Sequence, residues 1–374
     1  MTNKQFNIAQ PTFLGNEKKY LLDTIETGWI SSIGSYITRF ENEFAQYHGV
    51  KHAIATHNGT IALHLAMAAS GIGVDDEIIV PDLTFIATAN SVRYCNAIPV
   101  LTDVDNDDWN ISPEAILKNI TPATRAIVPV HLYGNPAPME AIMRIATDHR
   151  LMVIEDCAEA PGALYNGKKV GTFGEIGCFS FFGNKVITTG EGGMCITNND
   201  QLAERMRILR DHGMNRQKKY YYDHLGFNYR MTNMQAAIGV AQLEQLEDLL
   251  EARDRIYAAY KSAFTGHPWF RIQETHNQRN VNWIFTLRIN GITEGQRDAI
   301  MQELRNYQID SRPVFYPIHS MSFYSGEAYC RSINHNTVAI SREGISLPTY
   351  IGLSEEDIAY ISAALIAAYE RITA

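Results

Sequence analysis

The chain has 374 residues, 45% hydrophobic and 20% charged, a globular composition that excludes disorder, collagen and coiled coil as whole-chain readings and suggests two domains or one large domain with an extension. With 32 Lys plus Arg against 41 Asp plus Glu, the net charge is −9, so the basic footprint of a nucleic-acid binder is missing. Cys95, Cys157, Cys178, Cys195 and Cys330 show no C-x-x-C spacing, which argues against a disulfide framework or a zinc site.

No uninterrupted apolar run approaches the roughly 18 residues that would suggest a membrane span. The first residues, MTNKQFNIAQPTFLG, have no apolar stretch of the secretory kind, and a reducing, cytoplasmic setting is expected. HAIAT (52–56) then reads as a strand, and IALHLAMAAS (61–70) has helical spacing. EIIVP (77–81) is the next strand, followed by a helix around 85–94. AIPVLTDVD (97–105), AIVPVHLYG (126–134) and LMVIED (151–156) are strand candidates, with helical spacing over 138–149. GCFSFF (177–182) and GMCITN (193–198) flank a turn-rich segment. Strands alternating with helices predict a mainly parallel α/β sheet.

After about residue 200 the pattern changes. QLAERMRILRDHG predicts a helix ending at Gly213, and 231–264 a long helical run broken once. Strand candidates at 283–289 and 309–315 mix with helical patterns at 294–306 and 354–371. The reading is a large α/β domain over 1–250, with an N-terminal helical segment, and a smaller α+β domain over 251–374.

Asp156 ends an apolar strand in VIEDCAEA, and the carboxyl ends of parallel strands are where α/β proteins place ligands. Lys185 follows another apolar strand, in FSFFGNKVITTGEGGM. Taken singly, they read as a helix-capping Asp and a solvated Lys. Together they match the needs of pyridoxal phosphate (PLP), which requires a lysine to form a Schiff base and an acid to keep its ring nitrogen protonated. The freed lysine amine can then carry a proton between carbons.

Asn58-Gly59-Thr60 lies between a strand and a helix. A helix N-terminus suits a phosphate, and Gly59 lets the backbone come close. Asn-Gly is also the strongest short signal of a hairpin turn, which the following helical pattern disfavours. Ser180 can add a hydroxyl. Phe85, in PDLTFIATAN, is a candidate to stack on the ring or, more plainly, a core residue. GEGG (190–193) reads as a tight turn, scaffold rather than chemistry. The G-x-G-x-x-G, G-x-x-x-x-G-K-[ST], H-E-x-x-H and G-x-S-x-G motifs are absent, and the twelve histidines are scattered, so no metal is indicated.

With these residues in place, the chain resembles the sugar aminotransferases of the fold-type I, aspartate aminotransferase-like PLP family. The likeness runs from about residue 5 to 371. It rests on GWISSIGSYITRFENEFAQYHGVKHAIATHNGTIALHLA, EIIVPDLTFIATANSV, PVHLYG, VIEDCAEA, FSFFGNKVITTGEGGM, GFNYRMTNMQAAIG and SRPVFYPIH, in that order. The resemblance implies a seven-stranded, mainly parallel sheet flanked by helices, with a smaller C-terminal domain.

It also implies roles. Lys185 looks like the lysine that bonds the cofactor; a dehydratase subgroup has His there, so Lys favours amino transfer. Asp156 looks like the partner of the ring nitrogen. Glu159 stands where many relatives carry Gln or His beside the ring oxygen. Gly59, Thr60 and Ser180 look like phosphate ligands, and Phe85 occupies the stacking position. Asn228, in GFNYR, is similar to the asparagine that reaches the phosphate of a neighbouring subunit, which implies a homodimer with shared sites.

The implied reaction moves an amino group from L-glutamate to C4 of GDP-4-keto-6-deoxy-D-mannose. Trp29, Ser31, Tyr316 and His319 are candidates for the sugar nucleotide. Arg230 or Arg312 can meet a pyrophosphate or the glutamate carboxylate, or form structural salt bridges. Three alternatives stay open: a dTDP- or UDP-linked keto sugar, a non-catalytic protein of the same fold, and a dinucleotide-dependent oxidoreductase. The intact Lys185 and Asp156 count against the second, and the missing glycine fingerprint against the third.

Overall fold

The computed structural model describes residues 4–275, 278–326 and 328–374. Helices α1 (Glu17–Glu26) and α2 (Ser35–His48) lead into strand β1 (His52–Thr56). Helix α3 (Gly59–Ala69) follows at once, because the Asn58 side chain accepts from the Ile61 amide and starts the helix. Next come β2 (Glu77–Pro81), α4 (Ala87–Tyr94), β3 (Ile98–Thr102), α5 (Pro113–Asn119), β4 (Thr124–Ile127), α6 (Met139–His149) and β5 (Met152–Asp156). A two-stranded ribbon, β6 (Leu164–Tyr165) and β7 (Lys168–Lys169), precedes β8 (Ile176–Ser180) and β9 (Gly193–Thr197).

Seven of these strands form one sheet in the order β1-β9-β8-β5-β4-β2-β3. The pairs from β8 through β5, β4 and β2 to β3 are parallel, whereas β9 is antiparallel to both neighbours. The continuous apolar runs follow from this arrangement. Every residue of β2, β8 and β9 is buried, as expected for a sheet covered on both faces. The β1–β9 register sets Thr56 against Gly193 and so brings the turn before α3 beside the 190–193 turn. A side chain at Gly193 would run into the Asn58 carbonyl.

Helix α7 (Asp200–Arg210) then leads through an extended stretch to α8 (Asn233–Glu244) and α9 (Leu246–Phe264). The expected single break in the long helical run falls at Gln245. Four short antiparallel strands follow, β10 (Phe270–Ile272), β11 (Thr286–Ile289), β12 (Arg312–Pro313) and β13 (Gly344–Ser346), in the order β10-β11-β13-β12. Helices α10 (Glu294–Asn306), α11 (His335–Glu343) and α12 (Glu355–Thr373) accompany them. This second sheet has its own core, built on Tyr260, Phe264, Phe285, Ile300 and Leu365. Phe6 joins that core from the other end of the chain, paired with Ile309.

Some boundaries differ from the sequence expectation. The strand expected over 126–134 stops at Ile127, and Leu132–Gly134 is a short 3₁₀ turn with Tyr133 at φ 55°. The Tyr133 amide donates to Glu159 Oε2 at 2.6 Å instead of to a strand. Helix α7 ends at Arg210, before the expected Gly213, because His212 and Gly213 take left-handed backbone angles. The strand expected over 309–315 is only Arg312–Pro313, since proline has no amide to extend the ladder.

Candidate active site

Four elements converge on a cavity of about 390 Å³ at the carboxyl ends of β5 and β8. Asp156 and Glu159 come from the end of β5 and the turn beyond it. Ser180 ends β8, and Lys185 follows in the next turn. Gly59 and Thr60 open α3. Phe85 precedes α4. Gly59, Thr60, Phe85, Asp156, Glu159, Ser180 and Lys185 thus line one space, although the sequence separates them widely.

Asp156 is buried, and each of its oxygens has a partner. Oδ2 accepts the Thr88 hydroxyl at 2.8 Å and Oδ1 the Ala158 amide at 3.1 Å. Burial pushes its pKa up, and these donors, Lys185 and His131 pull it back. Underneath, the buried Glu155 accepts the amides of Gly171, Phe173 and Gly174. His131 accepts the Ala137 amide at Nδ1, so its Nε2 carries the proton that faces Glu155. This lattice fixes the end of β5.

The Lys185 side chain is largely enclosed as well, with Nζ 3.9 Å from Glu159 Oε1. Burial lowers its pKa, while Glu159 and Asp156 raise it. Glu159 moves the other way, pushed up to about 7 by burial and then by Asp156, against the pull of Lys185 and the Tyr133 amide. Perturbed titrating groups converging in one cleft mark a functional site.

The first amides of α3 have no partner within the helix, and its positive dipole end faces the same space. Gly59 is required there: a Cβ would lie 2.7 Å from the Ser180 Cβ. Helix amides, the Thr60 and Ser180 hydroxyls, a buried carboxylate and a largely enclosed lysine make up the set of groups that PLP needs. Phe85 is 56% exposed, an unusual state for a core aromatic and a fitting one for a ring that covers a ligand.

Asn228 does not line this cavity; it lies on the outer face, bridged to Asp211 and within reach of Arg230. Of the sugar-nucleotide candidates, Arg312 lines the cavity and the others do not. The Trp29 and Ser31 carbonyls accept from Asn233. Arg230 pairs with Asp211 at 2.8 Å. Tyr316 accepts from Arg297 at 3.2 Å, and His319 is tied to the buried Asp82.

Several residues of the site carry no local sequence signal. Trp283 and Phe315 reach the cavity from the second sheet's side of the molecule, and Thr88 supports Asp156 from α4. Glu191, which the GEGG turn presents as scaffold, also lines the cavity. The motif signals adjacency along the chain, and which way a turn aims its side chain depends on the packing around it.

Comparison with known proteins agrees with this geometry. The DegT/DnrJ/EryC1/StrS aminotransferase family matches residues 13–366. The GDP-perosamine synthase of Caulobacter vibrioides is 49% identical over 366 residues, covering 96% of this chain and 97% of the relative. That of Escherichia coli O157:H7 is 43% identical over 358 residues, covering 96% and 97%. Among solved structures, Helicobacter pylori PseC, an aminotransferase involved in the biosynthesis of pseudoaminic acid, superposes with a TM-score of 0.92 at 27% identity, covering 98% of this chain and all of that one.

Proposed function

The chain belongs to the DegT/DnrJ/EryC1/StrS aminotransferase family and is a PLP-dependent sugar aminotransferase, and we propose that it transfers the amino group of L-glutamate to C4 of GDP-4-keto-6-deoxy-D-mannose. The products are then GDP-perosamine and 2-oxoglutarate. The observation that carries the chemistry is the convergence of Lys185, Asp156 and the α3 N-terminus on one cavity. The choice of sugar is supported by the two near-full-length relatives.

PLP, when bound, supplies an aldehyde that amines attack and a ring that accepts electrons. Gly59, Thr60 and Ser180 would hold its phosphate, and Phe85 would cover its ring. Asp156 would hold a proton on the ring nitrogen. Thr88 and the Ala158 amide keep that carboxylate oriented, and its burial makes a positive partner valuable. The Lys185 Nζ is the group that takes a proton from one carbon and returns it to another. Its burial weakens the amine's grip on the proton, while Glu159 and Asp156 keep that grip from vanishing. Glu159, whose Oε1 lies 3.9 Å from the amine, would share a proton with it and would hold the cofactor's ring oxygen. Arg312, at the mouth, suits a carboxylate or a pyrophosphate.

The working unit in this reading is a homodimer with active sites shared across the interface. Asn228 is exposed outside its own chain's cavity, which supports a role in another's. Phe85 and Phe182 stand half-exposed at the cavity rim, apolar surface that a second copy would cover. We assign the reaction to the cytoplasm, in the supply of a sugar for O-antigen or a related surface polysaccharide; no helix among the described residues is long and apolar enough to cross a membrane.

Incubation with heavy-nitrogen-labelled L-glutamate and GDP-4-keto-6-deoxymannose tests the substrate assignment. The expected product is a GDP-sugar carrying the label. Label appearing only in dTDP- or UDP-linked amino sugars would replace the substrate and leave the chemistry.

A further inference from the structure

The Lys185 amine rests on an aromatic face. Its Nζ lies 3.7 Å from the centroid of the Trp283 ring, well inside the range of a cation–π contact. Trp283 itself is held by Asn184, Arg253 and Tyr133. Its Nε1 donates to the Asn184 carbonyl at 2.8 Å, the carbonyl next to Lys185 in the chain. Its own carbonyl accepts from the buried Arg253 guanidinium at 2.7 Å. Its ring stacks on Tyr133 at 22°, and the Tyr133 amide in turn holds Glu159. One connected set therefore positions the indole face, the carboxylate and the amine.

We propose that Trp283 is a positioning residue, and that its indole face is the resting place of the Lys185 ammonium whenever the lysine is not bonded to the cofactor. The proposal rests on the reading of Lys185 as the cofactor-bonding lysine. Amino transfer leaves that lysine free for half of each cycle. A four-carbon side chain with a loose end has many rotamers. An aromatic face with Glu159 at its side confines the amine within the cavity. Trp283 precedes β11, so it brings the second sheet's side of the molecule into direct contact with the lysine. The charged groups facing the amine across the cavity are Asp156 and Glu159 from the end of β5, Glu191 from the 190–193 turn and Arg312 from β12.

The test uses the cofactor-free full-length protein, so it does not depend on turnover. Acetic anhydride acylates only the neutral amine, and mass spectrometry of the Lys185 peptide gives the rate as a function of pH. An indole face favours the ammonium. Trp283→Leu should therefore shift the acylation midpoint down, by about half a pH unit to one and a half units, and Trp283→Phe should retain most of the wild-type midpoint. An unchanged midpoint in Trp283→Leu, or the upward shift that entering water would cause, overturns the proposal.

A second measurement needs no change at Trp283. Tryptophan emission of the wild-type protein should titrate with the Lys185 midpoint, and the step should disappear in Lys185→Met. The same emission profile in both proteins would also overturn the proposal. Borohydride fixation of PLP to Lys185 in the wild type separately tests the reading beneath it.

Discussion

Glu159 Oε1 stands 3.9 Å from Lys185 Nζ in a site where the carboxylate is buried and the lysine side chain is 11% exposed. Burial pushes the Glu159 pKa up to about 7, so the folded protein binds a proton there that the unfolded chain releases above about pH 4.5. A raised acid pKa means that stability falls as pH rises through this window. The melting temperature of the cofactor-free protein should drop between about pH 4.5 and 7. Glu159→Gln should flatten that drop, an effect of at most about 3 kcal/mol. Identical pH profiles for the two proteins would remove the buried, proton-holding Glu159 from the account.

Lys185→Ala should abolish turnover and leave at most non-covalently held cofactor. Borohydride treatment followed by peptide mapping checks this: the wild type should carry reduced cofactor on Lys185 and the variant none. Turnover at the wild-type rate in the variant would show that another amine does the work.

Asp156→Asn keeps the shape of the site and the contacts to Thr88 and Ala158 but removes the charge. The cofactor should still bond to Lys185, while the rate of amino transfer falls roughly 100-fold or more, the scale seen when a charge-stabilising group is removed. Single-turnover kinetics with L-glutamate separates the two effects. Undiminished transfer would sink the role of Asp156 at the ring nitrogen.

Gly59→Ala introduces a methyl group 2.7 Å from the Ser180 Cβ. Overpacking of about 1–3 kcal/mol at the helix N-terminus should weaken cofactor binding roughly 5- to 150-fold. Equilibrium titration with PLP reads this directly. The variant should keep the wild-type helix content, since alanine suits a helix better than glycine.

Shared sites lead to a complementation experiment. Lys185→Ala and Asn228→Ala should each be inactive or nearly so. In a mixed dimer, one site draws Lys185 from one chain and Asn228 from the other and is whole. Co-refolding equal amounts should restore about a quarter of wild-type activity, because about half the dimers are mixed and each has one intact site. Mixed dimers that form but stay inactive would confine Asn228 to its own subunit.

Lys185, Asp156 and Gly59 were legible because each sits at the junction of an apolar strand or helical run with a short polar signal, and such junctions fall on the carboxyl edge of a parallel sheet. The strands of that sheet were legible because both of their faces are buried. The support of the site was not. Thr88 is 68 positions from Asp156, and Trp283 is 99 from Asn184. Their contacts exist only once α4 and the segment before β11 have packed. Tyr133 misled for a related reason, since its apolar stretch resembles a strand while its amide is taken by Glu159. Trp29, Ser31, Tyr316 and His319 stand near recognisable motifs, yet their side chains or carbonyls are engaged elsewhere in the chain.

The most direct test of the central claim is a visible absorption spectrum of the purified protein with PLP, before and after L-glutamate and then after GDP-4-keto-6-deoxymannose. The account predicts a band from the lysine-bonded cofactor that bleaches with glutamate and returns with the keto sugar. A band that never forms, even with added PLP, would contradict it.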